Sequence, residues 1–374
     1  MLVSKSISLF GLERQAELIG DDLLKITSET INSINYIRGK ETIKFEESFA
    51  KFIGHGSGVS VANGTDAIFL ALKGLNIGPG DEIIVPNFTF IATWFAALNT
   101  GATIVGVDVE DDGLLSLEKT IEAITSQTKC IILVHLYGKM VNVRKFKENI
   151  PSSIFILEDA AQSHECFLDD QRMGEFSNAV AFSFYPTKTI GCFGDGGYIY
   201  SLDQKFVNHC KLLSNYGSSK KYYNKILGFN SRLDELQAAY LSYKLRYIPK
   251  WVENRQKNAK KLLEVCDGQI VRPLCDANLS GHALHLFVVE VQARHDLIKM
   301  LINKKIDYGI HYPIIPIRQE CFTNNKDLLK RVINKGCNKS LKLSENVLSL
   351  PCHQHMTETE VDKVSEVLKQ FIGF

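Results

Sequence analysis

Three stretches of the chain end in residues whose chemistry is costly to place without a purpose. The first, Ala181-Phe182-Ser183-Phe184-Tyr185-Pro186-Thr187-Lys188, is an apolar run that passes through a proline turn into a lysine. Burial disfavours an ammonium, and lowered basicity is what a Schiff-base lysine requires. A lysine snorkelling from a sheet edge would carry the same spelling. The second, Ile156-Leu157-Glu158-Asp159-Ala160-Ala161-Gln162-Ser163-His164, ends an apolar run with two carboxylates. A carboxylate fixed in a partly dry crevice needs a metal, a basic side chain or a protonated heterocyclic nitrogen beside it. Metal is the weakest of these, because His164 is the only other good ligand close by; a turn or capping carboxylate is the plain alternative. The third, Val61-Ala62-Asn63-Gly64-Thr65-Asp66-Ala67, is a small-residue turn feeding a helix. Its exposed N–H groups and the positive end of the helix dipole suit a phosphate, although an ordinary capped helix looks the same.

Taken together, the stretches supply a phosphate cradle, a carboxylate for a protonated ring nitrogen and a Schiff-base lysine, the set that pyridoxal phosphate needs. Phe90, in Pro86-Asn87-Phe88-Thr89-Phe90, offers an aromatic face for the ring or a side chain for the core. No Gly-Lys-Ser/Thr follows the turn and no G-x-G-x-x-G occurs, so nucleotide hydrolases and dinucleotide oxidoreductases have no motif here.

Such residues must be positioned by a sheet. Continuous apolar runs at Glu82–Pro86, Thr103–Val109, Cys130–Leu136, Ser153–Leu157, Val180–Tyr185 and Tyr198–Ser201 read as strands covered on both faces. Helical patterns at Asp66–Leu75, Ile91–Asn99 and Leu117–Thr125 lie between several of them, which gives an α/β sandwich with chemistry at the carboxyl ends of the strands. Ser231-Arg232-Leu233-Asp234 has the form of a capping box, opening a helix that Pro249 interrupts. Beyond residue 250 the texture changes: Ala283–Val291 and Leu348–Pro351 read as strands, Arg294–Lys304 and Met356–Phe371 as helices, the last with a box at Thr357 and Glu360. We therefore expect a large α/β domain over 1–250 and a smaller α+β domain over 251–374, packed together without a flexible linker.

With 374 residues, 45% apolar and 23% charged, the chain is of globular type. Its 43 basic and 42 acidic residues give no pull toward nucleic acid or an anionic membrane. No apolar run approaches a membrane span, and Met1–Gly20 lacks a cleavage pattern. Nine scattered cysteines without a C-x-x-C pair suit a reducing cytoplasm. Cys352-His353-Gln354-His355 is too local to chelate one ion, so no metal is expected.

In order and spacing the chain resembles the sugar-nucleotide aminotransferases of the DegT/DnrJ/StrS type. The resemblance runs through Phe45-Glu46, Asn63-Gly64-Thr65, Val85-Pro86 with Thr89-Phe90 and Ala92-Thr93, His135-Leu136-Tyr137-Gly138, Glu158–Gln162, Ser183–Lys188 and Asn230–Glu235. It implies the aspartate-aminotransferase fold of type I, pyridoxal 5'-phosphate as cofactor and pyridoxamine 5'-phosphate as its second form. Lys188 would then hold the cofactor and shuttle the proton, Asp159 would pair with the ring nitrogen, Gln162 would lie near the phenolic oxygen and Phe90 would stack on the ring. Gly64, Thr65 and Asp66, with Ser183, match phosphate contacts. Asn230 matches a residue reaching over from the partner subunit, which implies a homodimer with shared active sites.

The spellings Asp159-Ala160-Ala161-Gln162, Gly194-Asp195-Gly196-Gly197 and Asn230–Glu235 look most like members that aminate C3 of a dTDP-linked 3-keto-6-deoxyhexose, with L-glutamate as donor. Such reactions serve O-antigen, S-layer glycan or antibiotic sugar synthesis. Tyr185, His311 and Tyr312 match residues lining the hexose site, and Lys221 would face the nucleotide phosphates from the partner chain or remain a solvated lysine beside Lys220. Departures are Glu165-Cys166, where the family often has glycine after the histidine, and Arg318, near where many members carry histidine. The rivals are a C4-aminating transaminase, a UDP-linked 3-ketosugar transaminase, a dehydratase (which would carry histidine in place of Lys188) and a non-catalytic sensing protein.

Overall fold

A computed structural model describes residues 6–373, so the first five residues of the Met1–Gly20 stretch lie outside it. An eight-stranded sheet dominates. Its spatial order is Ser57–Val61, Gly197–Ser201, Ala179–Ser183, Phe155–Asp159, Thr128–Val134, Glu82–Pro86, Thr103–Val107 and Val332–Asn334. All neighbours pair in parallel except at Gly197–Ser201, which runs antiparallel to both of its partners. Strands Glu82–Pro86, Ala179–Ser183 and Gly197–Ser201 are buried along their whole length. Helices Gly64–Gly74 and Ile91–Asn99 pack against the sheet and against each other.

Glu82–Pro86 and Ile91–Asn99 fall where the sequence places them. Other boundaries move. The strand expected at Ser153–Leu157 is Phe155–Asp159, because Pro151–Ser153 form a turn, closed by Ile154 N–H to Pro151 O. Val180–Tyr185 shortens to Ala179–Ser183, leaving Tyr185 in the turn. Thr103–Val109 stops at Val107, and Cys130–Leu136 becomes Thr128–Val134 followed by a tight turn at Leu136–Gly138. Tyr198–Ser201 extends to Gly197.

The box expected at Ser231 does not form. The helix starts at Glu235, because the Ser231 hydroxyl is engaged elsewhere: it donates to Asp66 Oδ2 at 2.6 Å and accepts from Ala62 N. Nor does Pro249 interrupt that helix, which ends at Lys244; Pro249 sits in the first turn of the next one, Ile248–Leu263, where its missing N–H costs nothing. Two buried acids cap helices far away in sequence. Helix Lys40–Ile53 begins at Gly39, which has no capping side chain, and the Glu235 carboxylate accepts from Gly39 N, Glu41 N, Thr42 N and the Thr42 hydroxyl instead. Asp108 does the same for helix Asn338–Asn346 through Lys339 N, Ser340 N and the Ser340 hydroxyl.

A second core gathers Ile7, Ala259, Leu262, Phe287, Leu297, Leu301, Leu350 and Val364. Its three-stranded antiparallel sheet is Arg272–Pro273, Phe287–Glu290 and Val347–Leu350. Helices Ile248–Leu263, Arg294–Asn303 and Glu358–Ile372 cover it, the last opening on the Thr357/Glu360 capping box. Among the described residues no helix is long and apolar enough to cross a membrane, and no cluster of ligating side chains could hold a metal ion. Cys352, His353 and Gln354 are buried rather than solvated.

Candidate active site

The site forms where the strands Phe155–Asp159 and Ala179–Ser183 end side by side. Asp159 closes its strand with its side chain buried. Oδ2 accepts from the Thr93 hydroxyl at 2.8 Å and Oδ1 from Ala161 N at 3.1 Å. Burial pushes its carboxyl above the usual aspartate range, while these two donors and Lys188 pull it back. Lys188 follows the Tyr185–Pro186 turn, which is closed by Lys188 N–H to Tyr185 O at 2.8 Å. Desolvation lowers its amine to about 8, with the Asp159 carboxylate acting against that fall. The pair thus has the complementary electrostatics that the sequence suggests, and the lysine's basicity is that of a usable nucleophile and proton carrier.

Gln162 is buried three residues beyond Asp159. Its Oε1 accepts from Tyr137 N at 2.6 Å and its Nε2 donates to the Tyr312 hydroxyl at 2.8 Å. Tyr312 in turn lies 5.6 Å from the Phe90 ring at 37°. Its phenol is pushed up by burial and by Asp159, so Gln162, Tyr312, Phe90 and Asp159 surround one region. Phe90 is 52% exposed, which removes core packing as its purpose. His311 precedes Tyr312, bonds Ser349 Oγ through Nδ1 at 2.7 Å, and is held down to about 4 by burial and by Lys188.

Two glycines let the helix turn approach this region. A Cβ on Gly64 would lie 2.6 Å from Ser183 Cβ, and one on Gly197 would lie 2.2 Å from Asn63 O. Only bare backbone fits there. Helix Gly64–Gly74 is capped by Asn63, whose Oδ1 accepts from Asp66 N and whose carbonyl accepts from Ala67 N. The Asp66 N–H is therefore already occupied. The N–H groups of Gly64 and Thr65, at the start of the helix, have no acceptor within it. Beside them stands Ser183, its hydroxyl accepting from Tyr185 N. These donors, a buried carboxylate with acceptor capacity left over and a desolvated lysine fit pyridoxal phosphate. Gly64, Thr65 and Ser183 would hold its phosphate, Asp159 its ring nitrogen, Phe90 its face and Lys188 its carbon.

Other predicted residues lie outward. Tyr185 is half exposed. Lys221 projects from the hairpin of Ser218–Lys220 and Tyr223–Asn224, its Nζ 5.2 Å from the Tyr222 ring. Asn230 is exposed and pairs through its backbone with Asn215. None of the contacts that gather Lys188, Asp159 and Gln162 involves Lys221 or Asn230.

Several supporting groups escape a reading of the sequence. Thr93 is one. Another is the buried pair His135–Glu158, 2.6 Å apart, in which His135 Nδ1 accepts from Val141 N, so that Nε2 carries the proton toward Glu158. A third is Lys244, fully buried, donating to Gly191 O at 2.6 Å beneath the loop after Lys188. The motif His135–Gly138 and the dipeptide Ala92-Thr93 were the available signals. Glu165, where the resemblance leads one to expect glycine, takes φ +62°, a left-handed conformation that glycine adopts without strain.

The model of the DegT/DnrJ/EryC1/StrS aminotransferase family matches residues 17–369. A dTDP-3-amino-3,6-dideoxy-alpha-D-galactopyranose transaminase of Aneurinibacillus thermoaerophilus is 37% identical over 90% of this chain and 91% of its own. A UDP-N-acetyl-3-dehydro-alpha-D-glucosamine 3-aminotransferase of Acidithiobacillus ferrooxidans is 33% identical over 99% of each. The crystal structure of S. venezuelae DesV in complex with a ketimine intermediate superposes with a TM-score of 0.90 at 32% identity, covering 98% of this chain and 99% of that one. The chain belongs to the DegT/DnrJ/EryC1/StrS aminotransferase family, whose enzymes work with pyridoxal phosphate.

Proposed function

We propose that the protein moves the amino group of L-glutamate to C3 of a dTDP-linked 3-keto-6-deoxyhexose, for the aminodeoxysugars of O-antigen, S-layer glycan or antibiotics. The observation that carries this reading is the gathering of Lys188, Asp159 and Gln162 at two strand ends beside the Gly64–Ser183 contact. When bound, the cofactor supplies an electron sink for the carbon losing its proton. The chain's own residues do the rest. Lys188, with its amine near 8, takes the proton from the donor's α-carbon and returns it at the sugar carbon. Asp159 would keep the ring nitrogen protonated, and Gln162 would hold the ring through its phenolic oxygen. Tyr185, His311 and Tyr312 receive the hexose.

Full assembly of the site draws on a partner subunit of the same chain, Asn230 toward the phosphate and Lys221 toward the nucleotide. We place the enzyme in the cytoplasm, with residues 1–250 as the cofactor domain and 251–374 as the smaller one. A second reading, a UDP-linked 3-ketosugar substrate, is favoured by the Acidithiobacillus relative. A C4-aminating enzyme would be told apart by its product. Lys188 disfavours the dehydratase, and a complete Lys188/Asp159 pair would be idle in a sensing protein.

The test is the visible absorption spectrum of the purified protein before and after excess L-glutamate, without sugar. A yellow band that gives way to the pyridoxamine form supports the donor half-reaction. A band indifferent to glutamate removes that donor, and no band after incubation with pyridoxal phosphate ends the proposal. Incubation of the aminated enzyme with dTDP- and UDP-linked 3-ketosugars then decides the acceptor.

A further inference from the structure

Asp159 does not stand alone at its strand end. Thr93, on helix Ile91–Asn99, is 1% exposed and donates to Oδ2 at 2.8 Å. Its oxygen lies 3.1 Å from the hydroxyl oxygen of Thr89, itself 2% exposed. Each hydroxyl has one proton. That of Thr93 goes to the carboxylate, which when ionised only accepts, so Thr89 must be the donor in the Thr89–Thr93 bond. The direction of the relay is therefore fixed: Thr89 to Thr93 to Asp159.

Thr93 sits among the fully buried Trp94, Ala96 and Ala97. Packing alone would favour valine there, since a hydroxyl in such a place has to be satisfied. Phe90, the residue that offers the ring a face, is the N-cap of the same helix. One short helix start thus presents both the stacking side chain and the donor to the carboxylate.

We infer that Thr93 is a positioning residue for the cofactor: it keeps Asp159 ionised and turned so that a free lone pair meets the protonated ring nitrogen, with Thr89 setting the direction of the Thr93 hydroxyl. This rests on the reading of Asp159 given above. The other charged or titratable groups that face the carboxylate are Lys188 from the turn after Ala179–Ser183, His135 from the end of Thr128–Val134, and the Tyr312 phenol. Lys188 favours the ionised form in common with Thr93 and remains when Thr93 is altered.

The experiment uses the full-length enzyme, Thr93→Val, which removes the donor at nearly equal volume, and Thr93→Ser, which keeps it. The unaltered enzyme must first show its visible band with pyridoxal phosphate; failure there ends the reading of the site itself, whatever Thr93 does. Given the band, the cofactor-free proteins are titrated with pyridoxal phosphate across pH, following intrinsic fluorescence. For Thr93→Val we expect a Kd raised about tenfold near pH 6 that converges on the unaltered value near pH 8, equivalent to a shift of about one pH unit in the carboxyl. The acid limb of kcat/KM for L-glutamate moves up by a similar interval, and Thr93→Ser stays within about twofold of the parent. A loss in Thr93→Val that is equal at every pH, no loss at all, or a Ser variant as poor as the Val variant would each overturn the inference.

Discussion

The residues we assign to the cofactor and those we assign to the substrate are built into the molecule differently. On the first, Asp159, Gln162 and Ser183 are buried at strand ends, and each is fixed by bonds to backbone or to other buried side chains. On the second, Tyr185 is 52% exposed, Tyr222 is 86% exposed, and Lys221 Nζ lies over its neighbour's ring. A group used for the same bond-making step in every turnover gains from a rigid, dry setting, where electrostatics is strong and needs no reorganisation. A surface that must tell one hydroxyl configuration from another can be changed by altering loops without disturbing that setting. On the proposed reading, reaction type is written in the sheet and substrate choice in the loops.

The sharpest way to break this division is at Lys188. Lys188→Ala should lower turnover by more than about 10⁴-fold while the circular dichroism and melting profile stay close to those of the parent. Retained turnover would remove the rigid half of the comparison. Asp159→Asn should come next, with kcat for the glutamate half-reaction reduced on the order of 10³-fold, because the amide cannot balance a ring cation; single-turnover absorbance gives the number. On the loop side, Lys221→Ala should raise KM for the nucleotide sugar roughly tenfold and leave the glutamate half-reaction untouched. If it slowed both half-reactions equally, the two sides would not be separable.

A smaller effect tests what the rigid side costs. The Lys188 amine is lowered to about 8 in the fold against 10.5 for the free side chain. The unfolded chain therefore binds more protons between those values, so stability from this group rises with pH through that window and its penalty is complete below pH 8. Cofactor-free Lys188→Met should accordingly be more stable than the parent at pH 7, by about 1 kcal/mol since water reaches part of the side chain, and the advantage should shrink above pH 8. Melting curves at pH 7 and pH 9.5 measure it; an advantage that grows with pH would contradict the burial of the amine.

Much of the rigid side was legible because it is local. Strand Glu82–Pro86 and helix Ile91–Asn99 declare themselves by period and length, and Lys188 and Asp159 by the oddity of a charge at the end of an apolar run. Strand Ser57–Val61 escaped because Ser57, Gly58 and Ser60 dilute its pattern to two valines. Val332–Asn334 escaped as a short, largely exposed edge. The box at Ser231 failed for a tertiary reason: Asp66, 165 residues away, holds the hydroxyl that would have capped the helix. Beyond the Ala92-Thr93 dipeptide of the resemblance, Thr93 had no local signal that distinguishes it from any helical threonine, since its bond is to a carboxylate 66 residues downstream.

That inconspicuous edge has a mechanical consequence. Val332–Asn334 comes from the later part of the chain, yet it is hydrogen-bonded in parallel to Thr103–Val107. Just beyond it Asn87 Nδ2 holds Asn334 and Gly336 O, and Asp108 caps the helix that follows. The C-terminal region is thus sewn to the large sheet along its rim as well as joined to it by the chain. Swinging it away as one body would tear a strand from a sheet, so we expect access to Lys188 through the segments around Tyr185, Lys221 and Tyr312. Amide hydrogen exchange should then report slow, sheet-like protection at Ile104 and Val105 in the presence and absence of substrate, and changes confined to those three segments.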